Sequence, residues 1–200
     1  MDTLSVLGSA AGLGLLAGIR LYFTVFALGF TIRMGWFEPA TNMEQLSVLA
    51  QTPVLLGSGA MFLAEFVADK VPWFDSIWDA IHTFIRPVGA AALGITALGS
   101  FDPSLTVLIG LLSGGVALGG HAAKAATRVA ANHSPEPFSN WILSFAEDAL
   151  VPFGLWVVVE HPLIAAVVVA VFLIVFLLLA AAIWRLFRSL FTRFGRVPAR

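Results

Sequence analysis

Ionisable residues occupy apolar segments of this chain, where a charge is costly. Arg20 lies about midway along the first apolar stretch, Glu65 and Asp69 lie late in the second, and Glu147 and Asp148 lie in the fifth. A charged side chain at the centre of a membrane-spanning helix costs about 2.5–3.5 kcal/mol on insertion scales, so it usually faces a partner or a cavity. These five residues are therefore the first candidates for a site that binds an ion or a charged solute.

The spacing of the acids suggests how such a site would work. Glu65 and Asp69 are four residues apart, so they share one face of a helix, and together they exceed the charge of Arg20. We expect Arg20 to bind an anionic group or to gate the site by pairing with a carboxylate. We expect Asp69 and Asp148, supported by Glu65 and Glu147, to bind a coupling proton or cation. The predicted site also includes Lys70, His121 and Lys124, the last two lining its cytoplasmic approach.

A second polar group lies in the stretch 72–86, which is amphipathic rather than lipid-like. Its acids, Asp75 and Asp79, are four residues apart, and they would form either a polar face that touches headgroups or the mouth of a cavity. We predict an interfacial helix here that leads into the span after Pro87. The secondary candidates for the site are Asp75, Asp79, His82, Arg86 and Arg128.

The motifs of other chemistries are missing from the sequence. It contains no HExxH, GxSxG or GxxxxGK[ST] pattern, and it has no cysteine for a thiolate metal site or a thiol nucleophile. We predict no cofactor, and the sequence does not decide whether a metal binds.

Composition indicates that lipid surrounds most of the chain. The mean hydropathy is +0.93 and only 12% of residues are charged, against about a quarter in soluble domains. At roughly 20 residues per crossing, a chain of 200 residues suits about six membrane-spanning helices. Pro, Gly and charge clusters divide the apolar runs into spans 4–32, 52–70, 84–101, 104–124, 139–160 and 162–184.

Part of the first span resembles a segment in the second half of the chain. Residues Leu4 to Arg20 resemble Leu105 to His121 at a constant offset of 101, with glycines in shared positions. We predict an all-α protein built from two inverted three-helix repeats, residues 1–101 and 104–184, followed by a basic cytoplasmic tail, residues 185–200. The glycines indicate close helix packing. Alternatively, the segments 14–20 and 114–121 are unwound within the membrane.

Basic residues predict the orientation. With both termini in the cytoplasm, nine Lys or Arg residues lie inside and only Arg33 lies outside, as the positive-inside rule requires. The arginine-rich tail follows a span directly, so it suits anionic lipid better than nucleic acid. The expected partners are the bilayer, a small solute or ion, and further copies of the chain, because so short a chain is expected to act as a homo-oligomer.

One set of residues resembles a known family. The run Glu65-Phe-Val-Ala-Asp69-Lys70-Val-Pro72-x-x-Asp75, continued by Asp79, His82 and Arg86-Pro87-Val-Gly89, and Gly18-Ile-Arg20 in the first span are similar to bacterial inner-membrane proteins catalogued only as a domain of unknown function. The resemblance covers most of the chain up to about residue 185. It implies a multi-pass protein of the bacterial inner membrane, and it implies no activity.

Three functions remain open from the sequence. The first is a small secondary transporter or channel, and not an enzyme, for an ion or a small, anionic solute, with its site between the repeats. The second is a non-transporting scaffold or assembly factor whose buried charges fix the helix register. The third is an intramembrane enzyme acting on lipid through Asp75, Asp79 and His82.

Overall fold

The computed structural model describes residues 3–39, 41–98, 102–132 and 138–194, and these residues form helices without a strand. The prediction of an all-α protein is confirmed. Of the predicted basic tail, Arg196 and Arg200 lie outside the described residues. The helices are α1 (Thr3–Arg33), a 3-10 helix (Thr41–Ala50), α2 (Thr52–Ala68), α3 (Pro72–Leu98), α4 (Pro103–Asn132), α5 (Phe138–Glu160) and α6 (Pro162–Phe194).

The helices agree with the predicted number of membrane spans. In the described part of the chain, five helices are long and apolar enough to cross a bilayer. A sixth span results if the 3-10 helix and α2, which meet at an angle of 71°, are counted as one broken span. The chain is therefore a multi-pass helical membrane protein. The most lipid-like helix is α6, in which only 11% of the most apolar stretch is buried.

The amphipathic stretch and the span after Pro87 form one helix, α3, and not an interfacial helix followed by a span. The polar face of the amphipathic stretch is turned into the helix bundle. Asp75, Asp79 and Arg86 are all buried within the bundle. Because this polar face finds partners on neighbouring helices, the helix continues through Pro87 although proline cannot donate its backbone hydrogen bond.

Helix α1 is not a straight span, because its backbone leaves the helical region at Arg20 (φ −143°, ψ 76°). Ser9 and Leu28 would be about 28 Å apart on a straight helix at 1.5 Å per residue. Instead, both line one cavity of about 260 Å³ together with Val158. The Ser9 hydroxyl also donates to the Val158 carbonyl at 3.4 Å. Residues 3–19 and 21–33 are therefore two legs of a helical hairpin with Arg20 at its turn.

The first leg of α1 packs along α4, and the two run in the same direction. A Cβ atom built on Gly14 would lie 2.8 Å from the Ser113 Cα, and one built on Gly18 would lie 2.7 Å from the Ala117 Cα. The residue numbers of the contacting pairs increase in the same direction along both helices, so the two helices pack in parallel. The inverted-repeat prediction requires these helices to be antiparallel. The structure therefore departs from the prediction at the two similar segments, 4–20 and 105–121. The fold-back at Arg20 is the physical reason.

The hairpin also separates the two ends of the described chain. Gly8 of the first leg lies against Pro162 and Ala166, at the start of α6, and Gly12 lies against Ala165. The first leg and α6 therefore start at the same end of the bundle and run in parallel, so the chain begins at one end and α6 finishes at the other. The count of basic residues predicts that both termini lie on the same side of the membrane. That prediction assumes that α1 crosses the membrane once.

The glycines confirm the packing interpretation. Gly14 and Gly18 allow the first leg of α1 to touch the α4 backbone. The alternative, two unwound segments, does not describe the structure. In α1 the non-helical residue is Arg20, after the glycines, and α4 runs without a marked break from Pro103 to Asn132.

Candidate functional site

A buried layer of ionisable residues lies where the turn of α1 meets four other helices. The end of α2, the first half of α3, the second half of α4 and the first half of α5 all contribute to it. We call this layer the charged cluster. Its members are Arg20, Glu65, Asp69, Asp75, Asp79, Arg86, His121, Lys124, Arg128, Glu147 and Asp148.

Arg20 joins the α1 hairpin to the cluster. Its side chain is fully buried, and its guanidinium forms ion pairs with Asp69, with Asp148 at 3.0 Å and with Glu147 at 3.4 Å. Its Nη2 also donates to the Ser144 hydroxyl at 2.9 Å and to the Ser144 carbonyl at 3.1 Å. The structure therefore pairs Arg20 with a carboxylate of the second span, as expected, and also with two carboxylates of the fifth span, which the sequence did not predict.

Asp69 is the electrostatic centre of the cluster. It caps the carboxyl end of α2, and besides Arg20 it contacts Lys124 Nζ at 3.4 Å and Arg128 Nη2 at 3.2 Å. The Asp69 carbonyl accepts a further hydrogen bond from Arg128 Nη1 at 3.2 Å. Three positive groups around one buried carboxylate favour its ionised form. This arrangement makes Asp69 a fixed anion that organises the bases, which is a poor setting for a carboxyl group that must bind a proton.

Arg128 holds α4 to α5 through a two-pronged contact. Its Nε and Nη2 donate to the two carboxylate oxygens of Glu147 at 3.2 and 2.9 Å, and its Nη1 also donates to the Asn140 carbonyl at 3.1 Å. Such bidentate pairs are the strongest charge-assisted hydrogen bonds of arginine. From the sequence, Arg128 counts as a basic residue flanking a span. In the structure it is 1% exposed and belongs to the cluster.

Arg86 links α3 to α1, α2 and α4. Its guanidinium donates to Glu65 Oε1 at 2.5 Å, to the Gly18 carbonyl at 3.2 Å and to His121 Nδ1 at 2.6 Å. Arginine only donates, so Nδ1 of His121 is the acceptor, and the proton of this neutral ring lies on Nε2, 3.0 Å from the Asp79 carbonyl. His121 therefore contributes no positive charge to the cluster in this geometry.

The charge balance of the cluster differs from the sequence-based picture. The sequence sets Arg20 against four carboxylates within the spans, with Lys70 and Lys124 in the predicted site and Arg86 and Arg128 as secondary candidates. In the structure three further bases, Arg86, Lys124 and Arg128, enter the same layer. The described cluster then holds four bases against six carboxylates, a difference of two negative charges. The three additional bases enter together with two additional carboxylates, Asp75 and Asp79, so the excess of acid falls from three charges to two.

Two predicted site residues, Lys70 and His82, make their contacts outside the charged cluster. Lys70 Nζ lies 3.0 Å from the centre of the Phe66 ring and donates to the Phe66 carbonyl at 2.9 Å, outside the cluster. His82 stacks on Trp78 at a centroid distance of 4.4 Å, and its ring nitrogens contact the Trp78 carbonyl and the Tyr22 hydroxyl. Within the described residues, His82 forms no hydrogen bond or ion pair with Asp75 or Asp79.

Sequence reasoning missed the uncharged partners of the cluster. Ser144 receives Arg20, and Thr83 contacts His121 Nε2 at 3.0 Å. Asn132 donates to Asp75 at 3.1 Å and accepts from Asn140 at 2.8 Å. The available signal was the presence of small polar residues on the same helix faces as the charges.

No group of three or more His, Asp or Glu residues in the described ranges is arranged to hold a metal ion. The contacts of the cluster are ion pairs and hydrogen bonds between side chains of five helices. Such an arrangement can stabilise a charged solute by exchanging partners, or it can hold the helices together.

The fold and the cluster define a multi-pass helical membrane protein with an ion-pair network buried among its helices. Within that class, the chain belongs to the family described as Domain of unknown function (DUF4126), whose model matches residues 7–182. The match confirms the predicted resemblance to a family catalogued only as a domain of unknown function. No curated protein and no solved structure matches the chain significantly.

Proposed function

We propose that the protein is a small transporter or channel for an ion or a small, anionic solute, and that the charged cluster is its site. The supporting observation is the turn of the α1 hairpin, which places non-helical backbone and a buried arginine at the centre of the bundle. Irregular backbone at membrane depth is tolerated only where it is buried in protein or lines a cavity. Broken helices that meet charged groups are the usual construction of transport sites.

In this proposal, Arg20 changes its ion-pair partners during transport. Its guanidinium is shared among Asp69, Glu147 and Asp148, so an anionic solute can replace one carboxylate while the others hold the side chain. The backbone on either side of Arg20 belongs to separate helical legs, which allows a change of angle at one residue. Exchange of ion-pair partners would then accompany opening of the hairpin.

Flux into proteoliposomes tests the proposal. Full-length protein is reconstituted, and uptake is measured for protons, sodium, potassium, chloride, phosphate and small carboxylates. Arg20→Gln and Asp69→Asn are expected to reduce flux at least tenfold. Arg33→Gln serves as the matched control, because Arg33 is outside the cluster and donates to Ala50 and Thr52. Absence of wild-type flux across the panel, or full flux in Arg20→Gln, contradicts the proposal.

A scaffold role is the second candidate, and the contacts that join several helices favour it. Arg128 alone binds α2, α4 and α5 together through Asp69, Glu147 and Asn140. If the cluster only fixes helix packing, the double variant Arg20→Gln with Asp69→Asn folds better than either single variant. In that case wild-type vesicles also carry no flux above empty liposomes.

A further inference from the structure

The negative charge that remains in the cluster is concentrated at Asp75 and Asp79. Asp75 is 1% exposed, and no Lys, Arg or His among the described residues forms an ion pair with it. Its Oδ2 accepts from Asn132 at 3.1 Å, whereas its Oδ1 has no hydrogen-bond partner in the described structure. Asp79 reaches one base, Arg86 at 3.5 Å, and that base lies closer to Glu65, at 2.5 Å.

A cleft gives these two carboxyl groups access to water-sized ligands. It lies between α3 and α4 and has a volume of about 210 Å³. Asp75, Asp79, Thr83, Arg128 and Asn132 are among its lining residues. Arg128 does not neutralise the pair, because its donors already serve Asp69, Glu147 and the Asn140 carbonyl. The cleft therefore presents an unpartnered, buried carboxylate oxygen.

Two neighbouring buried carboxylates rarely remain ionised together, since each disfavours the charge of the other and burial disfavours both. Residues four apart on a helix have Cβ atoms about 5–6 Å apart, which lets their carboxyl groups share one proton. The other ionisable groups near the pair come from four helices: Glu65 and Asp69 from α2, His82 and Arg86 from α3, His121, Lys124 and Arg128 from α4, and Glu147 from α5. Each Lys and Arg among them already has an anionic partner, whereas His82 and His121 contact neutral groups or Arg86.

We propose that Asp75 and Asp79 form a proton-binding carboxyl pair at the mouth of the cleft and that the proton is the coupling ion of transport. In the binding step a hydronium ion in the cleft gives its proton to Asp75 Oδ1 and leaves as water, and the new O–H group of Asp75 donates a hydrogen bond to the Asp79 carboxylate. The role as a coupling site rests on the proposed function, whereas proton binding itself does not. This places the proton at Asp75 and Asp79 and leaves Asp69 as the fixed anion.

Infrared spectroscopy of the purified full-length chain tests proton binding without any transport. The wild type is expected to show a protonated carboxyl band that persists at pH values where exposed carboxyl groups are ionised, and that shifts in D₂O. Asp75→Asn should remove this band. Asp102→Asn is the matched control, because Asp102 is exposed in the connection before α4, and it should leave the band intact. If Asp75→Asn fails to fold, Asp75→Glu keeps the carboxyl group and should move the band.

Three results would overturn the proton site. The first is that the wild-type protein shows no protonated carboxyl band at any pH. The second is that Asp75→Asn leaves the band unchanged. The third is a carboxylate band that responds to sodium at constant pH, which would assign the site to a metal cation. Flux driven by a pH gradient separates this inference from the proposed function. Wild-type flux that ignores the pH gradient contradicts the coupling role while transport stands. A confirmed band without flux contradicts transport while the proton site stands.

Discussion

The carbonyl oxygen of Gly18 accepts a hydrogen bond of 3.2 Å from Nη1 of Arg86. The last carbonyl groups of a helix have no partner within that helix, and the break at Arg20 places Gly18 in this position. Arg86 satisfies the carbonyl and also binds Glu65 of α2. The hairpin turn and the charged cluster are therefore one unit, and a change in either affects the other.

Replacement of Arg86 tests that connection. Arg86→Gln leaves Glu65 buried without its nearest base, and breaking a buried ion pair in this way costs about 3–5 kcal/mol. Arg86→Lys keeps the charge but cannot reach Gly18, Glu65 and His121 together, so an intermediate loss is expected. Thermal unfolding in detergent measures both variants. Equal stability of the Lys variant and the wild type would show that only charge matters at this position.

Close contact of the first leg of α1 with α4 predicts a strong effect at Gly18. A Cβ atom there would lie 2.7 Å from the Ala117 Cα, and backbone cannot move aside cheaply. Gly18→Ala should therefore lose about 1–3 kcal/mol of stability, as overpacking typically does.

Gly115 provides the control, because nothing lies within 4 Å of a Cβ atom built there. Gly115→Ala is expected to match or exceed the wild type in unfolding temperature. A similar loss in both variants would argue against the tight contact at Gly18.

The two lysines of the predicted site should differ in transport. Lys124 is 4% exposed and forms ion pairs with Glu65, Asp69 and Glu147, whereas Lys70 lies over an aromatic ring outside the cluster. Lys124→Gln is expected to reduce proteoliposome flux at least tenfold, and Lys70→Gln should leave it within twofold of the wild type. A larger loss of flux in Lys70→Gln than in Lys124→Gln would place the site nearer the connection between α2 and α3.

The fold-back at Arg20 predicts where single cysteines are labelled. The chain has no cysteine, so one introduced at Thr3, Ser104 or Ser189 is the sole target of a membrane-impermeant maleimide. Thr3 and Ser104, at the starts of α1 and α4, should react from one side of the membrane, and Ser189 near the end of α6 from the other. Labelling of Thr3 and Ser189 from the same side would support a single crossing by α1.

Asp102 predicts a measurable dependence on pH at the start of α4. Its side chain accepts a hydrogen bond of 2.8 Å from the Ser104 backbone N–H, which lowers the pKa of this exposed carboxyl group below its ordinary value. A lowered pKa in the folded state means that the contribution to stability is complete above the ordinary value and is lost as the pH falls through the lowered one. Asp102→Ala should therefore be less stable than the wild type at neutral pH, with the difference shrinking in acid. A difference that stays constant with pH would exclude this contact as the cause.

The sequence by itself determined the class of protein and most members of the site. Hydropathy and length predict about six spanning helices, and five or six are present in the described part of the chain, because crossing lipid requires about 20 apolar residues, a local property that the sequence reports directly. Charges inside apolar runs identify Arg20, Glu65 and Asp69 because their cost in lipid forces them to find partners. The glycine spacing likewise predicts the close packing seen at Gly18.

Only the tertiary structure decided which charges meet and which way α1 runs. One residue, Arg20, adopts non-helical angles, whereas the sequence left open whether the whole segment 14–20 is helical or unwound. That single turn converts a span into a hairpin, sets the first leg parallel to α4 and separates the two termini. Arg86 and Arg128 look like span-flanking charges in the sequence and become buried partners, because ion pairing between distant segments depends on how whole helices pack and not on spacing within one helix.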